Sequence, residues 1–216
     1  MIHWDRIDTV LLDMDGTLLD RHFDDTFWEE YVPEKFAALK AIPISNAKEQ
    51  LYAAYKGEER TLNWTDVDYW SNRLGLDIVA LKVEMSDQVR VHPGVPLFLQ
   101  FLQDREKEVV LVTNAHPKTV QIKLGQTALI PYLNTTLCSS DIGVPKEEID
   151  FWKKAEQVLL FDKARTLFID DNETVLLAAH TFGIKYLFLK SNPSSCEFQE
   201  PSQIFPSLAH FDALIP

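Results

Sequence analysis

The chain has 216 residues, enough to bury the core of one α/β domain or of a core domain carrying a smaller insertion. Hydrophobic residues at 46% and charged residues at 25% exclude a disordered, fibrous or coiled-coil reading of the whole chain. With 33 acids against 21 bases the formal charge is −12, a field that repels nucleic-acid polymers while a local cation can still draw in a small phosphate ester.

The first predicted element is a short buried strand over 9–12, Thr9-Val10-Leu11-Leu12, which runs straight into Asp13-Met14-Asp15-Gly16-Thr17. Aspartate is depleted within strands, so two carboxylates directly after an apolar strand suggest a turn that aims oxygen atoms into a crevice. Gly16 lets the backbone leave sharply, and Thr17 can cap that turn. From about 20 to 90 the apolar residues recur at helical spacing with no convincing strand. Phe27, Trp28, Tyr31 and Val32 form one set, Phe36 and Leu39 another after Pro33, then Leu51, Ala54 and Tyr55, then Val67, Trp70 and Leu74, then Val79 and Val83. Asp24, Asn46, Thr65 and Asp77 are expected N-caps, and Gly57 and Gly75 expected stops. These residues predict a compact helical insertion.

After Val91-His92-Pro93-Gly94 helices and strands alternate. Helices are expected over 95–105, 117–125, 147–160 and 173–182, and strands over 109–112, 135–139, 166–169 and 185–189. Strands alternating with helices of ten or so residues imply a parallel sheet covered on both faces, with ligands bound beyond the carboxyl ends of the strands. The stretch 191–202, rich in Ser, Pro and acids, is expected to be an irregular segment of little functional weight. No basic flank precedes an apolar run at the start, so no signal peptide is expected, and no run approaches the roughly 18 apolar residues of a membrane span. Cys138 and Cys196 form no CxxC pair and are expected to be free thiols in a reducing cytoplasm.

Four polar features fall at four strand ends: Asp13 and Asp15, Thr113-Asn114, Lys146 in Gly143-Val144-Pro145-Lys146, and Asp170-Asp171-Asn172. Each alone reads equally well as solvated loop; together they outline one crevice. An Asp-x-Asp-Gly-Thr followed by a strand-terminal Thr, a Lys and an acidic pair resembles the haloacid dehalogenase-like phosphatases, along the whole chain. More narrowly, residues 10–20, Thr61-Leu62-Asn63-Trp64, Asp68-Tyr69-Trp70, Leu74-Gly75-Leu76-Asp77-Ile78, Leu111-Val112-Thr113-Asn114-Ala115-His116-Pro117 and 166–172 are similar to the bacterial purine 5′-nucleotidases of that superfamily, which act on GMP and IMP.

The resemblance implies an α/β fold, a Rossmann-like parallel sheet flanked by helices, with a core at 1–19 and 91–216 and a helical cap at 20–90. It implies a Mg²⁺-dependent phosphomonoesterase. Asp13 would be the nucleophile that forms an aspartyl-phosphate, and Asp15 the acid that protonates the leaving oxygen and later takes a proton from water. Asp13, the backbone carbonyl of Asp15, and Asp171 would hold the metal, with Asp170 binding directly or through water. Thr113 and the N–H groups near Asn114 would hold phosphoryl oxygens, and Lys146 would supply fixed positive charge.

In the cap, Trp64 is the favoured base contact, whereas Tyr69 and Trp70 read better as core. Asp20, Lys56, Arg60 and Asn63 are candidates for the base or ribose, against the plainer reading of solvated charges. His116 reads as decoration of a helix start and His92 as a hinge residue. Dehalogenases lack the second acid, so Asp15 favours phosphoester chemistry. A sugar-phosphate phosphatase or phosphomutase would keep both acids, with His22 the one hint toward the mutase. A phosphate-binding module without turnover would be expected to lack part of the catalytic set, which is complete here.

Overall fold

A computed structural model describes residues 2–196 and 202–216. The apolar run at the start forms β1 (Thr9–Leu12), buried at all four positions. Continuous burial rather than alternation is what a parallel strand covered on both faces requires. β1 lies between β2 (Glu108–Thr113) and β4 (Thr166–Asp170), with β3 (Thr135–Cys138) outside β2 and β5 (Tyr186–Lys190) and β6 (Ser207–Leu208) outside β4. The sheet order is β3-β2-β1-β4-β5-β6, every pair parallel.

Side-chain alternation along β1 divides the core. Val10 and Leu12 face a cluster built with α6 (Val95–Asp104) and α7 (Pro117–Gly125). Leu11 faces the opposite cluster, built with α9 (Ile149–Leu159) and α10 (Glu173–Phe182), including Phe151, Trp152 and Phe168. Register then sets the level of the strand ends. Leu12 pairs with Leu111 and with Ile169, so Asp13 emerges beside Asp170 and one residue short of Thr113.

Between β1 and α6 the described residues form helices and no named strand. α1 (His22–Thr26) passes through a π-helical turn, Phe27–Tyr31, into α2 (Val32–Lys40). α3 (Ile44–Lys56), α4 (Val67–Leu74) and α5 (Ile78–Glu84) follow. Pro33 does not break the helix: the widened turn lies just ahead of it, where the missing proline N–H would leave a carbonyl unmatched. Trp28, Tyr55 and Trp70 meet edge-on or tilted, with centroids 5.0–6.1 Å apart.

Several expected boundaries move. Asp77 caps α5 and Gly75 ends α4 at φ 71°, as expected. The cap of α4 is Asp66, one residue after Thr65, and its carboxylate accepts from two backbone N–H groups. Asp24 and Asn46 lie inside α1 and α3 rather than at their starts, and Gly57 ends α3 without a left-handed turn. The two-residue strand β6 is too short to leave a periodic signal. A single-turn helix α8 (Ser139–Ile142) separates β3 from the loop bearing Lys146. Of the segment 191–202, residues 197–201 lie outside the described set. The preceding part is not idle: the Pro193 carbonyl accepts from Arg21 N–H at 2.9 Å and lies 3.2 Å from His92 Nε2, tying this loop to the one that follows β1.

Candidate active site

The strand-end residues converge. Asp13 leaves β1 with its backbone N–H bonded to the Ile169 carbonyl at 3.0 Å, and the residue is 5% exposed. The buried Lys146 ammonium donates to Asp13 Oδ1 at 2.5 Å, Asp170 Oδ2 at 2.7 Å and the Val112 carbonyl at 3.1 Å. A lysine on a loop needs anchoring to hold such a position. Lys146 N–H donates to Asn114 Oδ1 at 3.0 Å, and its carbonyl accepts from the buried Trp152 indole at 2.9 Å. The Asn114 side chain is therefore committed to this loop, and its Nδ2 donates to Glu147 at 2.9 Å. Thr113 is buried and lines the cavity, its hydroxyl oxygen accepting from Ala115 N–H at 3.0 Å.

Asp13, Asp170 and Asp171 each offer a carboxylate oxygen within 4.8 Å of the others. The sharp turn after β1 makes this approach possible. Gly16 has φ 82°, and a Cβ there would overlap the Asp171 carboxylate. Burial raises Asp13 well above the usual carboxylate range; Lys146 opposes the rise, and Asp170 and Asp171 add to it. Burial and then the charge of Asp170 push Asp171 up to about 7, against the pull of Arg21 and Lys146. The loss of hydration lowers the Lys146 ammonium, but Asp13 and Asp170 more than reverse this and hold it protonated.

Asp15 stands apart from that trio. Its Oδ1 accepts from Lys123 Nζ at 2.6 Å, while the residue still lines the cavity. Burial, and after it the charge of Asp24, raises its carboxyl above the usual range, with Lys123 opposing. Arg21 lies 3.3 Å from Asp171. Arg21, Lys82 and Lys123 stand outside the strand-end features, and Asp24 carries only the signal of a helix cap. Two of them do leave a trace, because Lys123 falls on the buried stripe of α7 beside Val120 and Leu124, and Lys82 beside Ile78 and Leu81 on α5. A lysine on an apolar helix face calls for a buried partner.

One cavity of about 770 Å³ joins these groups to the helical insertion. At one end stand Asp13, Asp15, Thr113, Lys146, Asp170 and Asp171; at the other Trp28, Tyr52, Tyr55, Lys56, Trp64 and Trp70. Trp64 is 42% exposed and Trp70 is buried, and both line the cavity. Asp20 and Asn63 do not line this cavity. Asp20 accepts from the N–H groups of His22 and Ser195, and Asn63 donates to Glu58. Arg60 lines a smaller recess beside the cavity, and His22 neither. His116 caps α7 by accepting the Lys118 N–H. Near it Asp66 and Asp68 form a second acidic group, but Asp66 is occupied as a helix cap and Asp68 by Lys118 at 2.7 Å.

A parallel sheet with this insertion after its first strand, and acids, a threonine and a lysine gathered at its carboxyl edge, defines a hydrolase of a known kind. Residues 7–183 match the haloacid dehalogenase-like hydrolases, and the chain belongs to that family. Among curated relatives it is similar to the GMP/IMP nucleotidase YrfG of Escherichia coli (strain K12), 41% identical over 215 residues, which span 100% of this chain and 97% of that protein. The protein of the same name from Shigella flexneri matches equally. Among solved structures, a HAD phosphatase from Thermococcus onnurineus superposes with a TM-score of 0.81 at 19% identity, covering 96% of each chain. A putative beta-phosphoglucomutase from Thermotoga maritima gives 0.66 at 15%, again over 96% of each. At such identities the two structures speak for the fold.

Proposed function

We propose that the protein is a 5′-nucleotidase that releases phosphate from purine nucleoside monophosphates of the GMP and IMP type, with Mg²⁺ as its cofactor. The observation that carries this reading is the single cavity running from Asp13 and Asp15 to the aromatic side chains of the insertion, which fits a phosphate at one end and a base at the other. The name of the relatives supports the choice of substrate. The division into a core at 1–19 and 91–216 and a cap at 20–90 belongs to the same proposal, as does work in a reducing cytoplasm, which suits two free thiols. Among the described residues no helix is long and apolar enough to cross a membrane.

The donor set suits a hard divalent ion. Three carboxylates converge with nothing but oxygen to offer, and burial together with the charge of Asp170 raises the Asp171 carboxyl to about 7. Asp13, Asp171 and the Asp15 carbonyl would hold Mg²⁺, with Asp170 binding directly or through water. Bound there, the ion would offset negative charge on the phosphoryl group and on Asp13.

The protein's own residues then divide the chemistry. Asp13 attacks phosphorus, forming the Asp13–O–P bond as the bond to the ribose oxygen breaks, and Asp15 gives its proton to that departing oxygen. Water next attacks phosphorus and yields its proton to Asp15, while the bond to Asp13 breaks and inorganic phosphate leaves. Lys146 fixes the Asp13 carboxylate in line, and Thr113 with the N–H groups at the start of the following loop holds phosphoryl oxygens. The test is phosphate release from GMP, IMP, AMP, UMP and sugar phosphates with Mg²⁺, with chelator, and with Asp13→Asn. GMP and IMP are expected to lead, and chelator or Asp13→Asn to abolish turnover. Preference for sugar phosphates would overturn the substrate, and full activity of Asp13→Asn would overturn the mechanism.

A further inference from the structure

Four buried or half-buried charges run in a line from the catalytic loop into the insertion. Lys123 on α7 is 1% exposed and donates to Asp15 Oδ1 at 2.6 Å and to Asp24 Oδ2. Asp24, on α1, accepts also from Lys82 Nζ at 3.1 Å, and Lys82 comes from α5, the insertion helix that packs against α7. Aromatic faces complete the setting. Lys82 Nζ lies 4.3 Å from the Phe27 ring centroid and Lys123 Nζ 5.1 Å from that of Phe23. Two carboxylates and two ammonium groups balance in sign while Asp15 is ionised.

Stability alone does not account for it. Withdrawing four charges from water costs several kcal/mol per ion, and apolar groups of like volume commonly serve a core as well or better. What a buried ion pair supplies is fixed geometry. Here the fixed object is a carboxylate in the cavity, and the fixing cation is shared with a carboxylate that belongs to the insertion.

We propose that Lys123 is a positioning residue for the acid–base carboxylate Asp15, and that Asp24 and Lys82 make its position conditional on the seating of the insertion. Lys123 holds one oxygen of Asp15, which orients the carboxyl toward the oxygen that leaves the phosphoryl group. Asp24, itself gripped by Lys82, holds Lys123 in place. When α1 and α5 lie against α7, the line is complete and Asp15 is aimed. When they lift, Lys123 loses one of its two carboxylates and Asp15 loses its fixed support. No new covalent step is involved: the proton still passes from Asp15 to the leaving oxygen. The proposal rests on the reading of Asp15 as the acid given under the proposed function.

The test exploits leaving-group strength. Phenyl phosphate and 4-nitrophenyl phosphate have nearly the same shape, but phenolate is the stronger base and needs protonation more. The ratio of their kcat/KM values, measured with saturating Mg²⁺, reports the acid in the step that expels the alcohol. Asp15→Asn is expected to lose about 10²-fold or more on phenyl phosphate and at least about tenfold less on the nitrophenyl ester. Lys123→Met is expected to show the same bias, a loss about tenfold greater on phenyl phosphate, and Asp24→Asn a smaller bias in the same direction. Equal losses on both esters for Lys123→Met and Asp24→Asn, or no loss on either, would overturn the proposal, since a merely structural part does not sense the leaving group. If Lys123→Met fails to fold, Asp24→Asn carries the comparison alone. If Asp15→Asn itself lacks the bias, the acid–base reading fails and takes this proposal with it; if it keeps the bias and the other two lack it, this proposal alone fails.

Discussion

In the presence of chelator the protein is expected to lose stability as the pH rises from 5 to 7, with Asp13 and Asp15 raised in the same direction as Asp171. The Asp171 carboxyl titrates at about 7 in the fold and near 3.9 in an unfolded chain. Between those values the folded protein keeps a proton that the unfolded chain has released. The folded state then binds more protons, so stability falls as pH rises and levels off above the folded value. A difference of about three pH units corresponds to roughly 4 kcal/mol over the whole window, of which the stretch from pH 5 to 7 carries about 2 to 3 kcal/mol. The side chain is 12% exposed, so solvent screening trims this only modestly. Asp24, which burial would raise but Lys123 and Lys82 bring down to about 2, acts with the opposite sign only below pH 4, and His92, lowered by burial, opposes the fall within the window. For a chain of this length, 2 to 3 kcal/mol is a fall in Tm of roughly 4–12 °C. Thermal unfolding followed by circular dichroism at pH 5, 6, 7 and 8 in chelator measures it. Asp171→Asn is expected to flatten the curve, and saturating Mg²⁺ to lift wild-type stability most at pH 8, where the carboxylates are ionised and ready to bind. A wild-type Tm that stays level or rises from pH 5 to 7, or an Asp171→Asn protein with an unchanged slope, would refute the charge-strained trio.

Lys146→Met keeps the side-chain volume but leaves Asp13 and Asp170 without their common cation; it is expected to cost about 3–5 kcal/mol in urea unfolding at pH 8 in chelator and, with saturating Mg²⁺, to lose at least about 10²-fold in kcat, and a near-wild-type value for either would contradict the assigned geometry. Gly16→Ala places a methyl group at a positive φ and against Asp171; a loss of about 1–3 kcal/mol in thermal unfolding, together with weakened Mg²⁺ affinity by calorimetry, is expected. Trp64→Ala removes a partly exposed ring from the cavity wall. The KM for GMP is expected to rise about 5- to 100-fold while that for 4-nitrophenyl phosphate holds, and an equal rise for both would remove Trp64 from base binding.

The run Thr9–Leu12 and its abrupt end in Asp13 point to a buried strand with carboxylates at its tip, because β-favouring residues followed by Asp-x-Asp suit a strand that ends at a crevice. Alternating strands and helices after residue 91 carry the parallel sheet in the same local way, and the four polar strand ends follow from it. Those features rest on neighbours in sequence, which is why they can be read there. Register is another matter. That Asp13 emerges level with Asp170, that a lysine reached through an extra helical turn bridges them, and that Asn114 anchors this lysine while lining the cavity are decided by strands and loops far apart in the chain. The long-range charges are the clearest case. Asp24 passes for a helix cap and Lys123 does not name its partners until α1, α5 and α7 pack together, since the pairing spans 58 to 108 residues and depends on the exclusion of water that only tertiary packing provides. Composition and periodicity determined that there is a crevice and what kind of oxygen atoms line it; folding decided which cation meets which carboxylate, because Coulomb attraction depends on distance and burial rather than on order along the chain.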